Sequence, residues 1–292
     1  MQSQQRLRDE LQFVTEFHAL FDVMQHVAIA RLHRAESAMP TQVKLTPILV
    51  KDIFPLLPVR SMQQPSLRGG VRGRLLVVIT SDEGFVGPLY ANVIREALRA
   101  ADDKTQWLLV GGRSVRLLGE RAARAQVIPI PSDEESAATM QRVGDMILAR
   151  YRREALRDVW LIAPRFLSMA RQDIVRQRLL PLPLEETQRV EREDDVILEP
   201  SLDEVMAQLE RLWVVETCVE AFWSARRAEW AARALHVEAS RQELTKHAQV
   251  VHHEFCKTRH ERVDALVRET CLAQQLFRTR AAARPFTAGS HR

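Results

Sequence analysis

"RLLVVITSDEGFVGPL", residues 74–89, decides how the rest of the chain is read. An apolar run leads into Ser81 and Asp82, then Gly84 and Gly87 stand three apart, and Pro88 comes directly after the second glycine. A short unbroken apolar segment ended by turn residues is the pattern of a strand buried on both faces. Pro88 suits the first turn of a helix, where its missing N–H costs nothing. A strand passing through a glycine turn into a helix opens an α/β domain, and it is also a setting in which phosphates are often bound. The residues that binding needs are not here. The stretch has no GxGxxG, no Lys-Ser/Thr closing the loop as in a P-loop, and no GxSxG for a nucleophile. We read Ser81, Asp82, Gly84 and Gly87 as turn chemistry, with polar side chains satisfying backbone donors and glycines permitting positive φ.

Downstream, the same pattern repeats. "WLLVG" (107–111), "QVIPI" (126–130) and "VWLIA" (159–163) read as further buried strands, with helices expected around 89–101, 113–123 and 134–155. Alternating strand and helix argues for an α/β domain over 74–200 with a largely parallel sheet, Rossmann-like in plan. Upstream, prolines at 40, 47, 55, 58 and 65 and then "RGGVRGR" (68–74) mark a junction over 40–73 in which only short helices fit. The basic loop reads as solvated connection rather than a phosphate site.

Both ends of the chain look different. Residues 1–39 and 201–284 contain neither glycine nor proline, so each reads as a long helix, followed by a tail at 285–292. A continuous helix over the second stretch would reach ~120 Å, against a radius of gyration of about 19 Å for a compact chain of this size. It must protrude or bend. In the first arm Leu7, Val14, Phe21 and Ala28 repeat every seven residues, and Phe13, Phe17, Leu20, Met24 and Val27 form a second row. In the second, Leu244, Ala248, Val251 and Phe255 continue such a spacing, and Val263, Leu266 and Val267 extend it. Two arms from opposite ends can pair antiparallel as a coiled coil, with Val14, Phe21, Met24, Val27, Phe255 and Val263 as packing residues. Periodicity alone leaves open an ordinary helical layer on the middle domain. It also shows that one partner helix cannot cover both rows of the first arm.

Composition narrows the function. The 292 residues are 46% hydrophobic, enough for a packed core, and a formal charge of +4 is weak evidence for nucleic acid. Clustered Lys/Arg faces interleaved with aromatics, which such binding would use, are not seen. Cys218, Cys256 and Cys271 form no CxxC pair, which suits a reducing compartment better than a disulfide framework. The start carries charge where a signal peptide needs an apolar core, and no run approaches a membrane span. A cytoplasmic protein without direct membrane insertion is the expectation. His252, Cys256 and His260 share a helical face, but a straight helix sets the outer two ~12 Å apart, too far for one zinc ion. His18, His26 and His33 on the first arm bring no cysteine or carboxylate cluster, so no metal or cofactor is expected.

Taken in order, these parts resemble the gamma subunit family of F-type ATP synthases, the central shaft of the rotary motor. "ELQFVTEFHALFDVMQHVAIARLHRA" matches the family's opening helix at Leu11, Val14, Met24, Val27, Ala28, Leu32 and Ala35. "ITSDEGFVGPL" (79–89) is similar to its "ITSDRGLCGGLN". "LLPLPL" (179–184), "ILEPSLDEVMAQL" (197–209), "EWAAR" (229–233) and "FCKTRHERV" (255–263) come in family order over nearly the whole chain. The departures are "ALFD" at 19–22 for the family's "KITK", Pro88 for a loop glycine, His260 for a Gln, and the proline-rich junction. They point to a divergent gamma subunit, of the kind an alternative F-type ATPase would carry.

The resemblance implies a non-catalytic subunit whose two arms form a shaft inside a ring of alpha and beta subunits. Its middle domain would face the epsilon subunit and the c-ring on the cytoplasmic side of the membrane. It also implies that Arg259, with His260 in the Gln place, bonds a loop of the beta subunit. The competing reading of the residues is a nucleotide-binding α/β enzyme domain with helical arms.

Overall fold

The computed structural model describes residues 2–38, 45–57, 73–184, 199 and 201–282. Most of the proline-rich junction, the basic loop at 68–72 and the tail at 285–292 lie outside the described residues. The chain divides into two compact units, one of residues 24–237 and one of residues 1–23 with 238–292.

The larger unit is built on five strands: β1 (Arg74–Ile79), β2 (Gln106–Val110), β3 (Ala125–Ile128), β4 (Asp158–Ser168) and β5 (Arg171–Leu180). They lie in the order β3-β2-β1-β4-β5, the first four parallel and β5 antiparallel to β4. Helices α3 (Leu89–Ala100) and α4 (Ser136–Arg153) connect parallel strands, as expected. The link at Arg113–Arg124 is 3-10 rather than α-helical, broken at Gly119, whose φ of 60° and ψ of −132° no helix continues through. Of the junction, Leu45–Ile48 forms one short helix, α2, succeeded by a π turn at Leu49–Ile53 and a 3-10 turn at Phe54–Leu56.

Strand β5 was not visible in the sequence. "RQDIVRQRLL" is charged and polar apart from Ile174 and Val175 until Leu179, because an edge strand buries little until its last two residues. Strands β1, β2 and β4 differ, since both of their faces are covered, whereas β3 at the other edge is only half-buried. Leu75, Val77, Ile79, Leu108, Val110 and Leu161 pack with α4 and with parts of α1 (Gln2–Ala38) and α5 (Leu202–Ala282). Leu76, Val78, Trp107, Leu109 and Ile162 pack with α3 and the 3-10 segment. Helices α4 and α5 touch closely, and a Cβ placed on Gly144 would lie 2.6 Å from Val215 Cγ2. At the start of β1, Arg74 grips Asp158 of β4 through Nε at 2.6 Å and Nη2 at 2.9 Å.

The smaller unit is the start of α1 beside the latter part of α5. Glu10 meets His247 at 3.0 Å and Asp22 meets Arg241 at 3.4 Å, so numbers rise on one helix as they fall on the other. The pairing is antiparallel. Its seam takes Leu7, Val14 and Phe21 of the sevenfold row, with Leu11 beside them, against Leu244, Ala248, Val251 and Phe255, of which Val14 and Val251 are buried and the rest half-buried. Of the second row of α1, Phe13, Phe17 and Leu20 face outward, at 53%, 37% and 50% exposed.

Two expected packing residues stand elsewhere. Val263 is 50% exposed because antiparallel pairing from Glu10–His247 outward uses up α1 before reaching it. Val27, 48% exposed, lies in the outward row beside the buried Ala28. Met24 is half-buried.

Candidate functional site

The turn that begins at Ser81 sits at the C-terminal end of β1, next to β4. In a doubly wound sheet of this order, the crevice beside this point is where ligands usually bind. Here the turn is occupied by the protein itself. Asp82 accepts from the Gly112 amide at 2.5 Å and from the Ile130 amide at 2.8 Å, so one carboxylate satisfies donors that a phosphate would need. Gly111 permits this close approach. At φ +100°, its missing Cβ would stand 2.7 Å from the Ser81 nitrogen.

Ser81 turns the other way. Its hydroxyl donates to Glu229 Oε1 of α5 at 2.6 Å and accepts from the Glu83 amide at 3.0 Å. Glu229, 1% exposed, also accepts from Arg233 at 2.7 Å and from Arg226 at 3.2 Å. Arg233, itself buried, donates through Nε to the Gly84 carbonyl at 3.0 Å and reaches Glu83 at 3.2 Å. Arg226 lies 3.6 Å from Asp133, and both guanidiniums stand over the Trp230 ring. Burial, and then the charge of Glu229, push the Tyr90 hydroxyl well above its ordinary pKa.

The cluster centres on the buried Glu229–Arg233 pair, with Arg226 beside it and with Asp133 and the exposed Glu83 as further partners. Removing water from such groups is costly, so their mutual bonds must be kept. A phosphate brought to this turn would meet the buried Glu229 carboxylate rather than free amides. Gly84 and Gly87 complete the turn. A Cβ on Gly84 would lie 2.9 Å from the Arg113 guanidinium, and Gly87 has φ +56°.

Sequence reasoning gave Glu229 and Arg233, the two ends of "EWAAR", no individual role. The signal that could have found them is an i, i+4 pair of opposite charge inside an alanine- and tryptophan-rich helix stretch, "SARRAEWAARAL" (224–235). The partner of Glu229, Ser81, is 148 residues away in sequence and could not be read from spacing.

Further along α5, Arg259 and His260 are exposed. His260 Nδ1 lies 2.7 Å from the Cys256 carbonyl of its own helix, and Cys256 Sγ lies 3.8 Å from His252 Nδ1. A cavity of about 490 Å³ opens elsewhere in the larger unit, floored by Trp160, Leu161 and Trp213 and rimmed by Lys51, Arg165 and Arg176. Among the described residues that line it, Glu220 is the acidic one and there is no histidine, cysteine or aspartate. Buried Cys218 has its thiol pushed up to about 12 by burial, which makes it an inert core residue.

The family model for ATP synthase matches residues 3–265, and relatives named ATP synthase gamma chain match most of the chain. The chain belongs to the ATP synthase gamma family. The gamma chain of Bacteroides fragilis (strain YCH46) is 26% identical over 90% of this chain and 96% of the relative. That of Synechococcus sp. (strain JA-2-3B'a(2-13)) is 30% identical over 68% and 65%. In fold, this gamma-family chain is similar to a chain of the Euglena gracilis mitochondrial ATP synthase OSCP/F1/c-ring structure, with a TM-score of 0.72 at 14% identity over 99% of both. A chain of the Tetrahymena thermophila mitochondrial central stalk and c-ring structure gives 0.56 at 20% identity, over 76% of this chain and 99% of that one. As a gamma-family member, the chain is part of an ATP synthase complex. Among the described residues, no helix is long and apolar enough to cross a membrane.

Proposed function

We propose that this chain is the central rotor stalk of an F-type ATP synthase or ATPase, coupling ion-driven rotation of a membrane ring to ATP synthesis or hydrolysis in a ring of alpha and beta subunits. The observation that carries this reading is the family match from residue 3 to 265, which spans both helical arms and the α/β domain between them. The exposed apolar row of α1 and the uncovered Val263, Leu266, Val267 and Leu272 of α5 support it, since such surface calls for an enclosing partner.

A shaft of this kind works because it is asymmetric. Each rotational position offers different surfaces to the three catalytic sites around it and so favours a different conformation in each. Catalysis then belongs to the surrounding ring, not to this chain. The α/β domain stands outside the ring against the epsilon subunit and the c-ring, on the cytoplasmic side of the membrane. Arg259 is the residue we assign to a carboxylate-bearing loop of the beta subunit. Its exposed guanidinium offers several directed donors, whereas His260 carries charge only when protonated.

The test is co-expression with the alpha and beta subunits of the same organism, then mass determination and an ATPase assay. The expected species has three alpha, three beta and one copy of this chain, with turnover dependent on it. Arg259→Ala should assemble normally and lose coupling to ion pumping. A chain that ignores both partners and instead binds a nucleotide saturably, with binding lost on changing Asp82 or Gly84, would overturn the assignment.

A further inference from the structure

We infer that Glu229 is the positioning residue that fixes the rotational setting of α5 against the α/β domain, so that torque passes from that domain into the shaft. This rests on the rotor reading and adds to it the device that carries the torque. Helix α5 runs unbroken from Leu202 to Ala282, so any torque the α/β domain delivers to the far end must enter within the stretch it grips.

That grip can be resolved residue by residue. From 225 to 234 the buried apolar positions of α5 are mostly alanines: Ala225, Ala228, Ala231, Ala232 and Ala234, with Trp230. Alanine lets a helix approach a sheet closely but gives it no ridge to lock into a groove, so packing here resists separation more than rotation. Directional bonds must hold the angle. In this stretch three contacts cross to the domain, Ser81 to Glu229 Oε1, Arg233 to the Gly84 carbonyl and Arg226 to Asp133, and Glu229 holds both arginines in place along the helix, Arg233 on Oε1 and Arg226 on Oε2. Through Arg233 the same carboxylate is tied to the Gly84 carbonyl, and through Arg226 to Asp133, so two separate turns of the domain are held by it.

The tie also comes at the end of the grip, since Arg233 lies one turn before Val237, where the larger unit stops. Burial makes the arrangement all-or-none. With Glu229 neutralised, the buried Arg233 keeps only the exposed Glu83 at 3.2 Å as a countercharge and the half-buried Arg226 only Asp133 at 3.6 Å, so the set must rearrange rather than stretch.

The experiment uses the complete membrane-bound complex reconstituted in vesicles, measuring ATP hydrolysis and ATP-driven ion pumping together. Glu229→Gln keeps the shape and removes the charge. Ser81→Ala removes one hydroxyl from the opposite side. We expect both complexes to assemble and to hydrolyse ATP within about twofold of wild type, while the ratio of pumping to hydrolysis falls at least threefold for Glu229→Gln and less for Ser81→Ala. The double variant should be no worse than Glu229→Gln alone, because both act on one tie. An unchanged ratio in both assembled variants overturns the inference while leaving the rotor reading intact. A wild-type chain that fails to enter the complex overturns both. If Glu229→Gln lowers the yield of complex, Ser81→Ala decides: a reduced ratio supports the tie and an unchanged one refutes it.

Discussion

Gly144 offers the sharpest test of how the α/β domain is packed on α5. Replacing a helix-interior glycine by alanine ordinarily stabilises a protein by ~1 kcal/mol. Here the added methyl would sit 2.6 Å from Val215 Cγ2 and 3.3 Å from its Cα. Carbon atoms rest at about 3.5–4.0 Å, so α4 and α5 must part by about 1 Å at this point. Rotating Val215 away gives little relief, because valine in a helix has one strongly preferred rotamer and its Cα cannot move without α5. Overpacking of this kind costs ~1–3 kcal/mol, which outweighs the propensity gain and leaves Gly144→Ala about 1 kcal/mol less stable. Urea unfolding of the full chain measures this directly as a shift in midpoint at constant slope. In a Val215→Ala background the nearest clashing atom is gone, so the same substitution should become neutral or stabilising, with a coupling of about 2 kcal/mol. A Gly144→Ala chain as stable as wild type, with no coupling to Val215, would mean that the two helices do not meet in this way.

Two more outcomes are expected from other parts of the molecule. Burial alone would raise the Asp158 pKa, but the hydrogen bond and charge of Arg74, with Arg157 adding, hold it below the ordinary carboxylate value. A folded-state pKa below the unfolded one contributes stability that is present above about pH 4 and lost as pH falls through the folded value. Asp158→Asn should therefore cost about 2 kcal/mol at pH 7 and flatten the acid limb of a stability-versus-pH curve; an unchanged limb would mean the pair contributes nothing. Changing Phe13, Phe17 and Leu20 together to serine removes apolar surface that this chain leaves exposed. The isolated chain should keep its stability to within ~0.5 kcal/mol per site, while assembly with alpha and beta subunits, monitored by size-exclusion chromatography, falls at least tenfold.

Several features were decided by the sequence alone, each because the cause is local. Strands β1, β2 and β4 were legible because burial on both faces demands unbroken apolar runs, β3 because its short stretch is apolar although it is only half-buried at one edge of the sheet, and α1 and α5 because glycine and proline are missing from long stretches. The two rows of α1 were legible as rows, since helical periodicity is a property of one helix. Which row would be buried was not. That depended on where α5 lies, and the structure gives the seam to Leu7, Val14 and Phe21 and leaves Phe13 and Leu20 outward. Strand β5 was hidden because an edge strand needs no apolar run, and its pairing with β4 supplies what its composition does not. Ser81 and Asp82 were read as turn residues, and their partners came only with the fold: Asp82 on the Gly112 and Ile130 amides, Ser81 on Glu229. Local rules determine which elements a chain can form, because propensity and periodicity act within a few residues. A buried carboxylate's choice of partners is decided by which distant segments the fold brings together, and here that choice joins the first strand of the sheet to the middle of the last helix.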